Sequence, residues 1–455
     1  MPLKVAFYTL GCKVNYYDTE ALKREFCREG FTIVDFKDRA DVYVVNTCTV
    51  THLADRKSRQ LIRRAKRRNP EALVAVTGCY VQANPAGVAS LPEADLFLGT
   101  AERLSLPQLV KKKLAGENFI SPVKPYREKA VFEEMPFLPE QGRTRAFLKI
   151  QDGCSQFCSY CIIPLARGPL RSLSLQKGME YLQDISSSGF KEVVLTGIHL
   201  GLYGMDFTPP VSLASFLKKA VTVEGIERIR LSSIEPTDFS EELISVLQAQ
   251  KKICCHLHIP LQSGDDTILR KMGRPYDTAG YAGLLKRLRD VLPDLAVSTD
   301  IMVGFPGEDT EHFHNSISFV RECSFSRLHV FKYSPRPGTK AAAMTPQVSP
   351  QAKEERSKAM LSLGEELSAT FQEKFLGRRL AVLFEKELKM PVTRDNAGQQ
   401  PEKEKKWEQC SFFEGLTSNY LRVHASVPTG KWRGKIGEVY MTKNCRGYLQ
   451  GYLVE

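Results

Sequence analysis

The sequence predicts an α/β protein in three parts: an N-terminal domain built on a parallel sheet, a partial TIM-like (β/α)6 barrel, and a small C-terminal β-barrel. Three observations predict this fold. Short apolar strands alternate with helical stretches early in the chain, the alternation resumes with six further strands, and the tail carries strands separated by turn signals. At 455 residues, the chain is long enough for more than one core.

The N-terminal domain is predicted to span residues 1–115. Its helices are TEALKREFCREG, which ends at Gly30, and a basic helix from Leu53 to Arg68. Its strands are KVAFYTL, DVYVVNT, LVAVTG and ADLFLG. Because strands that alternate with helices form parallel sheets, we expect helices on both faces of this sheet. A stretch rich in Lys, Pro and Glu then predicts an extended linker over 116–139.

The central domain is predicted to span residues 140–371. Amphipathic helices separate most of its strands, and a further helix is expected over about 350–376. The six strands are FLKI, EVVLTGI, RIRLSSI, HLHIPLQ, LAVSTDIMVG and RLHVFKY. Six parallel βα units indicate a partial TIM-like barrel, in which the site lies at the C-terminal ends of the strands.

The C-terminal part, residues 372–455, predicts a small closed β-barrel. We expect four strands, and the polar stretch near 391–409 predicts an insertion loop among them. The strands are LAVLFEK, YLRVHAS, KIGEVYMT and GYLQGYLVE.

Composition and charge narrow the functional class. Apolar residues make up 42% and charged residues 25% of the chain, which excludes a disordered or fibrous protein. Lys and Arg number 64 against 52 Asp and Glu, and the net charge of +12 favours a polyanionic partner such as nucleic acid. No apolar run approaches the roughly 18 residues of a membrane span, and the N-terminus lacks a secretory core. We therefore expect a cytoplasmic protein with no membrane partner.

The strongest motif is a Cx3Cx2C run at Cys154, Cys158 and Cys161, directly after the first barrel strand. Thiolates at such spacing bind zinc or an iron–sulfur cluster. Structural zinc requires four protein ligands, and neither a cysteine nor a histidine lies between Cys161 and His199. Three thiolates favour a 4Fe–4S cluster with one iron open to an outside ligand.

A second triad, Cys12, Cys48 and Cys79, is dispersed in sequence, but each member follows a predicted strand. Because ligands gather outside the carboxyl ends of strands in an open α/β sheet, we expect the three to converge on a second cluster with an open iron. The alternative is three core cysteines. The remaining six are interpreted as buried or incidental small side chains: Cys27, Cys254, Cys255, Cys323, Cys410 and Cys445.

Taken together, these motifs resemble the radical S-adenosylmethionine methylthiotransferases over nearly the whole chain. The resemblance is carried by the two cysteine triads, by Tyr160, and by the segments TLGCKVN, IIPLARGPLRS, HIPLQSGDD, DIMVGFPGE and YSPRPGT. It implies an N-terminal domain with an auxiliary cluster, a radical barrel, and a C-terminal RNA-binding barrel of the TRAM type. The implied cofactors are two 4Fe–4S clusters, one on each triad, and S-adenosylmethionine.

The resemblance also implies that Tyr160, Gly197, Gln262 and Gly304 contact S-adenosylmethionine at the strand ends. Gly197 and Gly304 would let the backbone approach the cofactor; the alternative is that they are simple turn glycines. An external one-electron donor, such as a flavodoxin or a ferredoxin, is the implied reductant.

Members of the family modify either the adenosine next to the tRNA anticodon or an aspartate of a ribosomal protein. GCKVN, LARGPLRS and LTGIHLGLYG are most similar to the bacterial branch that converts N6-threonylcarbamoyladenosine to its 2-methylthio derivative. By position, Lys13, Arg167 and Arg171 are candidates to pair with the threonylcarbamoyl carboxylate. Three alternatives stay open: an isopentenyladenosine substrate, a ribosomal aspartate, and a non-catalytic iron–sulfur redox sensor that binds RNA.

Two surfaces are expected to bind the anticodon stem-loop of tRNA. Basic residues crowd the helix after Cys48, with Arg63, Arg64, Arg67 and Arg68 as the candidate phosphate contacts. In the tail, Lys431 and Arg433 are the candidates, and the nearby aromatic residues either stack on bases or fill the barrel core. Those aromatic residues are Phe384, Tyr420, Trp432 and Tyr440.

Overall fold

The computed structural model describes residues 2–117, 123–124, 126, 131–135, 143–389 and 410–454. The predicted linker over 116–139 lies largely outside these ranges, and the predicted insertion at 391–409 lies wholly outside them. The three-part α/β fold is confirmed, with two parallel-stranded parts followed by a closed barrel. No helix within the described ranges is both long enough and apolar enough to cross a membrane.

The N-terminal domain is a five-stranded parallel sheet in the order β2-β1-β3-β4-β5. Its strands are β1 (Lys4–Thr9), β2 (Thr32–Val34), β3 (Val42–Thr47), β4 (Leu73–Gly78) and β5 (Leu96–Leu98). Its helices are α1 (Lys13–Arg28), α2 (His52–Arg68), α3 (Cys79–Ala83), α4 (Pro85–Ala89) and α5 (Leu106–Leu114). Separate apolar clusters line the two faces of the sheet, as expected for a parallel sheet covered on both sides.

Two N-terminal features differ from the prediction. The short edge strand β2 was not expected, and α1 begins at Lys13 rather than at Thr19. Cys12 occupies the N-cap without a side-chain hydrogen bond, so the usual start signal is absent. Asp18 and Thr19 resemble cap residues, but both are buried inside the helix, where they make tertiary contacts instead.

The central domain contains all six predicted parallel strands, in two sheets of order β6-β9-β10 and β11-β12-β13. Bridges between Ile229 and Ile253 and between Ser233 and His258 join the two sheets. These strands are β6 (Arg145–Lys149), β9 (Glu192–Thr196), β10 (Arg228–Leu231), β11 (His256–His258), β12 (Ala296–Val303) and β13 (Arg327–Lys332). A small antiparallel pair, β7 (Gln151–Asp152) and β8 (Arg171–Ser172), follows the first strand.

Helices cover the outside of this partial barrel, and the largest apolar core of the molecule lies between them and the strands. The helices are α6 (Ile163–Arg167), α7 (Leu175–Ser187), α8 (Leu213–Ala220), α9 (Glu241–Ala249), α10 (Asp266–Met272), α11 (Thr278–Val291), α12 (Thr310–Cys323) and α13 (Pro350–Glu373). The helix predicted over 350–376 is therefore confirmed as α13. Phe371 near its end packs into the core of the C-terminal barrel.

The C-terminal part is a closed barrel of order β14-β15-β16-β18-β17. Its strands are β14 (Arg379–Leu388), β15 (Cys410–Thr417), β16 (Arg422–Pro428), β17 (Ile436–Asn444) and β18 (Leu449–Leu453). The strand β15 was not predicted. Its neighbouring residues Phe412 and Phe413 are both buried, so the expected alternation is broken, and β14 carries a register shift between Phe384 and Lys386 opposite it.

Arginines of the central barrel fix the C-terminal barrel in place. Arg228 donates hydrogen bonds to the carbonyls of Ala381 and Leu416, and Arg230 donates to those of Thr417 and Ser418. The Arg230 guanidinium also lies over the ring of Tyr420, which therefore contributes to the domain contact. These contacts place one end of the C-terminal barrel against β10 of the central barrel.

The structure separates the tail aromatics by role. Phe384 is fully buried in the barrel core, and its ring lies 5.6 Å from that of the half-buried Trp432. We expect Phe384→Ala to destabilise the barrel by about 3–5 kcal/mol, since it removes a buried ring and leaves a cavity. Urea unfolding followed by Trp432 fluorescence, in a Trp407→Phe background, measures this loss.

The matched control is Tyr452→Ala, because Tyr452 is an aromatic residue of the same barrel that is 48% exposed. We expect it to change stability by less than about 1 kcal/mol. Equal stability of the Phe384→Ala and Tyr452→Ala variants would contradict the core assignment.

Candidate active site

The first cysteine triad lies at the carboxyl edge of the N-terminal sheet. Cys12 follows β1, Cys48 follows β3, and Cys79 follows β4, which are three adjacent strands of the sheet. Cys48 and Cys79 are buried, and Cys12 is exposed. The fold therefore brings together three residues that are separated by more than thirty positions in sequence.

Glycines make this convergence possible, and the sequence analysis did not single them out. Gly11 and Gly78 precede Cys12 and Cys79, with φ of 103° and 102°. A Cβ at position 11 would lie 3.0 Å from the Cβ of Cys48, and one at position 78 would lie 2.5 Å from the Thr47 carbonyl oxygen. The repeated Gly-Cys dipeptide was the available signal, since only glycine tolerates both the dihedral angle and the close approach.

The thiols of this triad act on one another and on an arginine from the central domain. Burial, together with the neighbouring Cys79 and Cys12 thiols, raises the pKa of Cys48 to about 12. Arg167 donates from Nε to the Cys79 sulfur at 3.2 Å. A buried guanidinium at this distance favours the thiolate, which is the form that binds metal.

The second triad lies in the loop that follows the first strand of the central barrel, between β7 and α6. Cys158 is buried, and Cys154 and Cys161 are half-buried. Burial raises the pKa of Cys161 to about 12, and the Cys158 and Cys154 thiols act in the same direction. The three sulfurs therefore share one site at the C-terminal ends of the barrel strands, where the sequence placed them.

Two side chains that the spacing did not indicate contact this second triad. Arg274 donates to the Cys158 sulfur at 3.3 Å and also pairs with Glu235. His199 Nδ1 lies 3.6 Å from the Cys154 sulfur, while its Nε2 lies 2.8 Å from Asp238. Although burial lowers the pKa of His199, the hydrogen bonds with Asp238 and Cys154 raise it to about 9.

A buried cluster of charges joins the two domains beside the triads. Asp18 of α1 pairs with Lys149 at 2.6 Å, with Arg167 at 2.9 Å and with Arg103. Asp152 pairs with the same three cations and with Arg171 at 3.3 Å. Burial raises the pKa of Asp18, but Arg103, Lys149 and Arg167 outweigh that effect and hold its pKa below the usual value.

This charge cluster corrects the expectation that Arg167 or Arg171 pairs with the threonylcarbamoyl carboxylate of the substrate. Arg167 is buried and pairs with Asp18 and Asp152, and Arg171 is buried and pairs with Asp152, so neither is available to a substrate carboxylate. The four cations of the cluster face three carboxylates, the third being Glu133, which pairs with Arg103. The excess positive charge lies beside Cys79; burial raises the pKa of this thiol above its ordinary value and outweighs the Arg167 guanidinium, which lowers the pKa.

The sulfurs of each triad are spread more widely than the ligands of a single zinc ion. Tetrahedral zinc with Zn–S bonds of about 2.3 Å would bring its sulfurs to about 3.8 Å from one another. Neither of the two described triads has all three sulfurs within 4.8 Å of one another. Three thiolates around a wider space fit a multi-iron cluster with one iron left for another ligand.

The four residues predicted to contact S-adenosylmethionine all lie near the second triad or at barrel strand ends. Tyr160 lies between Cys158 and Cys161 and packs beside the cluster of Phe305 and Tyr333. Gln262 has a φ of 69°, and its backbone bonds to Asp300 and Met302 of β12. This strained backbone at a strand end is typical of a functional position.

Gly197 and Gly304 follow β9 and β12, as predicted. A Cβ at Gly197 would lie 2.8 Å from Gln151 Oε1, and one at Gly304 would lie 2.3 Å from Lys353 Cγ. Both glycines therefore make room for neighbouring side chains of the protein, which favours the turn interpretation of each. Contact between their backbone and a cofactor stays a prediction.

On the basic helix α2, the predicted phosphate contacts differ in availability. Arg63, Arg64 and Arg67 are exposed, although Arg63 lies 3.5 Å from Glu93. Arg68 is half-buried and donates to the Phe36 carbonyl at 2.6 Å, so it is partly committed to the domain. Lys431 and Arg433 are both exposed in the turn between β16 and β17.

Comparison with known families and proteins agrees with this geometry. The Radical SAM superfamily matches residues 148–320, and the family described as "Uncharacterized protein family UPF0004" matches residues 4–99. The threonylcarbamoyladenosine tRNA methylthiotransferase MtaB of Bacillus subtilis is 42% identical over 451 residues, which cover 99% of this chain and 96% of that protein. MtaB of Aquifex aeolicus is 41% identical, over 84% of this chain and 92% of that protein.

A relative of a second kind is the tRNA-2-methylthio-N(6)-dimethylallyladenosine synthase of Pelotomaculum thermopropionicum. It is 36% identical, over 84% of this chain and 87% of that protein. Among solved structures, the radical S-adenosylmethionine methyltransferase TsrM of Kitasatospora setae superposes with a TM-score of 0.57 at 15% identity, over 75% of this chain and 77% of that one. The cobalamin-dependent S-adenosylmethionine radical enzyme OxsB superposes with a TM-score of 0.51 at 12% identity, over 82% of this chain and 56% of that one. These structures show a shared fold.

A partial barrel of six parallel strands with three cysteines after its first strand defines a radical S-adenosylmethionine enzyme. The chain belongs to the methylthiotransferase family of that superfamily, which includes MtaB of Bacillus subtilis. Membership implies two 4Fe–4S clusters and S-adenosylmethionine as cofactors. It also shows that the protein is a transferase, so the alternative of a non-catalytic redox sensor is wrong.

Proposed function

We propose that this enzyme transfers a methylthio group to C2 of N6-threonylcarbamoyladenosine next to the anticodon of tRNA. The observation that carries the proposal is the pair of cysteine triads, which the fold ties together through Arg167. The activities named for the MtaB relatives support the choice of tRNA and of this nucleoside.

We propose that Cys12, Cys48 and Cys79 hold the auxiliary cluster, and that Cys154, Cys158 and Cys161 hold the radical cluster. With S-adenosylmethionine bound, these groups supply radical removal of hydrogen from the adenine ring and a methylated sulfur to replace it. The protein's own task is positional. Arg167 and Arg274 each donate to one ligand sulfur, and the buried ion pairs hold the two loops at a fixed separation.

The triads can be tested separately. A variant with Cys154, Cys158 and Cys161 changed to Ala should lose about half of the eight irons expected per chain, because each triad holds one four-iron cluster. It should also lose formation of 5′-deoxyadenosine from S-adenosylmethionine. Iron assay of reconstituted protein and chromatography of the nucleoside products measure both effects.

The complementary variant, with Cys12, Cys48 and Cys79 changed to Ala, should retain half of the iron and still form 5′-deoxyadenosine, yet transfer no sulfur to tRNA. Changing Cys27, Cys255 and Cys445 to Ala is the matched control and should leave the iron content at the wild-type value. Unchanged iron in either triad variant would refute the assignment of ligands.

We infer that the exposed face of α2 and the turn at Lys431 and Arg433 contact tRNA phosphates. The support is the set of guanidinium groups that the domain leaves exposed, namely those of Arg63, Arg64 and Arg67. Because α2 begins directly after the Cys48 loop, phosphates held along it would flank a base that enters between the triads. A base beside the anticodon lies in a single-stranded loop and is cheaper to unstack than a paired one.

Changing Arg63, Arg64 and Arg67 together to Ala should reduce the slope of log Kd against log salt by about two to three units, close to one for each lost phosphate contact. Fluorescence anisotropy with a labelled anticodon stem-loop measures the slope. A control variant removes three exposed lysines on outer helices, Lys219, Lys286 and Lys358, and should keep it. Equal slopes in wild type and the arginine variant would refute this contact surface.

We propose that Lys13 pairs with the threonylcarbamoyl carboxylate. Lys13 is exposed to water at the surface of the chain. Protein groups nonetheless surround its ammonium, and this burial lowers the pKa of Lys13. Tyr420, Arg145, Arg230 and Cys12 are the groups that act on its charge most strongly, and none is a carboxylate. Lys13 is next in the chain to Cys12, a proposed cluster ligand, and no carboxylate is among the groups that act most strongly on its charge, which supports pairing with an anion of the substrate.

Lys13→Gln should raise the KM for a threonylcarbamoyladenosine stem-loop about ten- to one-hundredfold, because a charge-assisted hydrogen bond contributes about 1.5–3 kcal/mol. The KM for an isopentenyladenosine stem-loop, which lacks the carboxylate, should not rise. Lys13→Arg should restore most of the difference, and Lys358→Gln, an exposed lysine on α13, serves as the control. If the wild-type enzyme transferred the methylthio group to the isopentenyladenosine stem-loop alone, the chain would instead be assigned to the enzymes that modify isopentenyladenosine.

The remaining assignments follow from this activity. We propose that a flavodoxin or a ferredoxin supplies the electron, and that the enzyme works in the cytoplasm, where tRNA is modified. We also propose residues 1–115, 140–371 and 372–455 as the auxiliary-cluster, radical and RNA-binding domains, with 116–139 as the linker.

A further inference from the structure

Polar side chains collect on the inner face of the second half of the central barrel. His258 of β11, Asp300 of β12 and His329 of β13 lie on three adjacent strands. Leu257, Val297 and Ile301 of the same strands point to the outer apolar core. Because side chains alternate along a strand, the three polar residues face the barrel interior.

The ligand atoms of these three residues surround one point. His258 Nε2 lies 3.2 Å from Asp300 Oδ1, and His329 Nδ1 lies 3.3 Å from the same oxygen. All three atoms lie within 4.8 Å of one another, which neither cysteine triad achieves. Ligands at about 2.0–2.1 Å from a tetrahedral ion lie about 3.3 Å apart, which matches the two histidine–aspartate contacts.

Two histidine–carboxylate hydrogen bonds elsewhere in the described residues are shorter than the Asp300 contacts, and a third, between His424 and Glu414, is similar at 3.1 Å. His199 lies 2.8 Å from Asp238, and His312 lies 2.7 Å from Asp309, as expected for charge-assisted bonds. Both contacts of Asp300 exceed these by about half an ångström, although its strands are in register and Asp300 lies opposite His329. The spacing is therefore one at which a cation can join the three groups, and it also allows direct hydrogen bonds from the two imidazoles to one oxygen.

A second shell orients one of the imidazoles. Ser298 Oγ lies 2.9 Å from His258 Nδ1, and it lies at the same distance from His256 Nε2. A hydroxyl that accepts the Nδ1 proton of His258 leaves the lone pair of Nε2 directed at Asp300. Metal-binding histidines usually have their second nitrogen held in this way.

We propose that His258, Asp300 and His329 bind a divalent transition-metal ion, with at least one coordination position left open. Two imidazoles and one carboxylate on one side of an ion suit zinc or ferrous iron. An entry path exists, since the His329 side chain is 41% exposed and that of Asp300 is 26% exposed. This site is additional to the two iron–sulfur clusters and does not depend on the identity of the nucleoside substrate.

Zinc is the probe for the test. Untagged enzyme with both clusters reconstituted is dialysed anaerobically against micromolar zinc, and zinc and iron are counted together by mass spectrometry. Wild type should bind one zinc per chain with its iron unchanged. Asp300→Asn and His329→Asn should each weaken zinc binding by more than about 100-fold, since loss of a ligand exceeds the effect of losing an outer partner.

The matched control is His424→Asn, because His424 pairs with Glu414 at 3.1 Å in the C-terminal barrel without a third ligand. It should bind zinc as wild type does. His329 is the safer of the two test positions because it is partly exposed, and unchanged iron content in each variant shows that the protein is folded. Wild type that binds no zinc, or Asp300→Asn and His329→Asn variants that both bind it at wild-type affinity, would overturn the proposal.

Discussion

The placement of both cysteine triads depends on a buried cluster of ion pairs between α1 and the start of the central barrel. Asp18 and Asp152 share Arg103, Lys149 and Arg167, and almost no water reaches any of these side chains. Removing one partner from such a cluster costs about 3–5 kcal/mol, because it leaves a charge buried without compensation. Stability alone would favour an apolar contact here, so the cluster is better understood as a device that fixes one relative orientation of the two domains.

Arg167 links this device to the chemistry. It lies six positions after Cys161, at the end of α6, yet its Nε donates to the sulfur of Cys79 in the other domain. A displacement of the loop that carries the second triad would therefore disturb a ligand of the first. Arg274 has the corresponding position beside Cys158, but its carboxylate partner, Glu235, lies within the central barrel. The first triad is thus contacted by an arginine from the other domain, whereas the second triad is contacted by an arginine of its own domain.

Arginine side chains have different functions in this protein according to the groups that surround them. Arg103, Arg167 and Arg171 neutralise buried carboxylates, and Arg228 and Arg230 bind carbonyls of the C-terminal barrel. Only cations that the fold leaves exposed, such as those along α2, can meet a phosphate. The count of 64 Lys and Arg residues therefore overstates the cations that a polyanion meets, because some of the arginines are buried where they hold the domains together.

The sequence by itself determined the fold class, the six barrel strands and the convergence of Cys12, Cys48 and Cys79, because short apolar runs between helical stretches and the residues that follow them are local properties of the chain. It did not reveal β15, where Phe412 and Phe413 are both buried, or the start of α1, where Cys12 replaces a capping residue. It suggested Arg167 and Arg171 as partners of the substrate carboxylate, whereas in the folded protein Arg167 pairs with Asp18 and Asp152, and Arg171 pairs with Asp152. The grouping of His258, Asp300 and His329 likewise exists only through strand register, because contacts between residues distant in sequence leave no periodic signal in the chain.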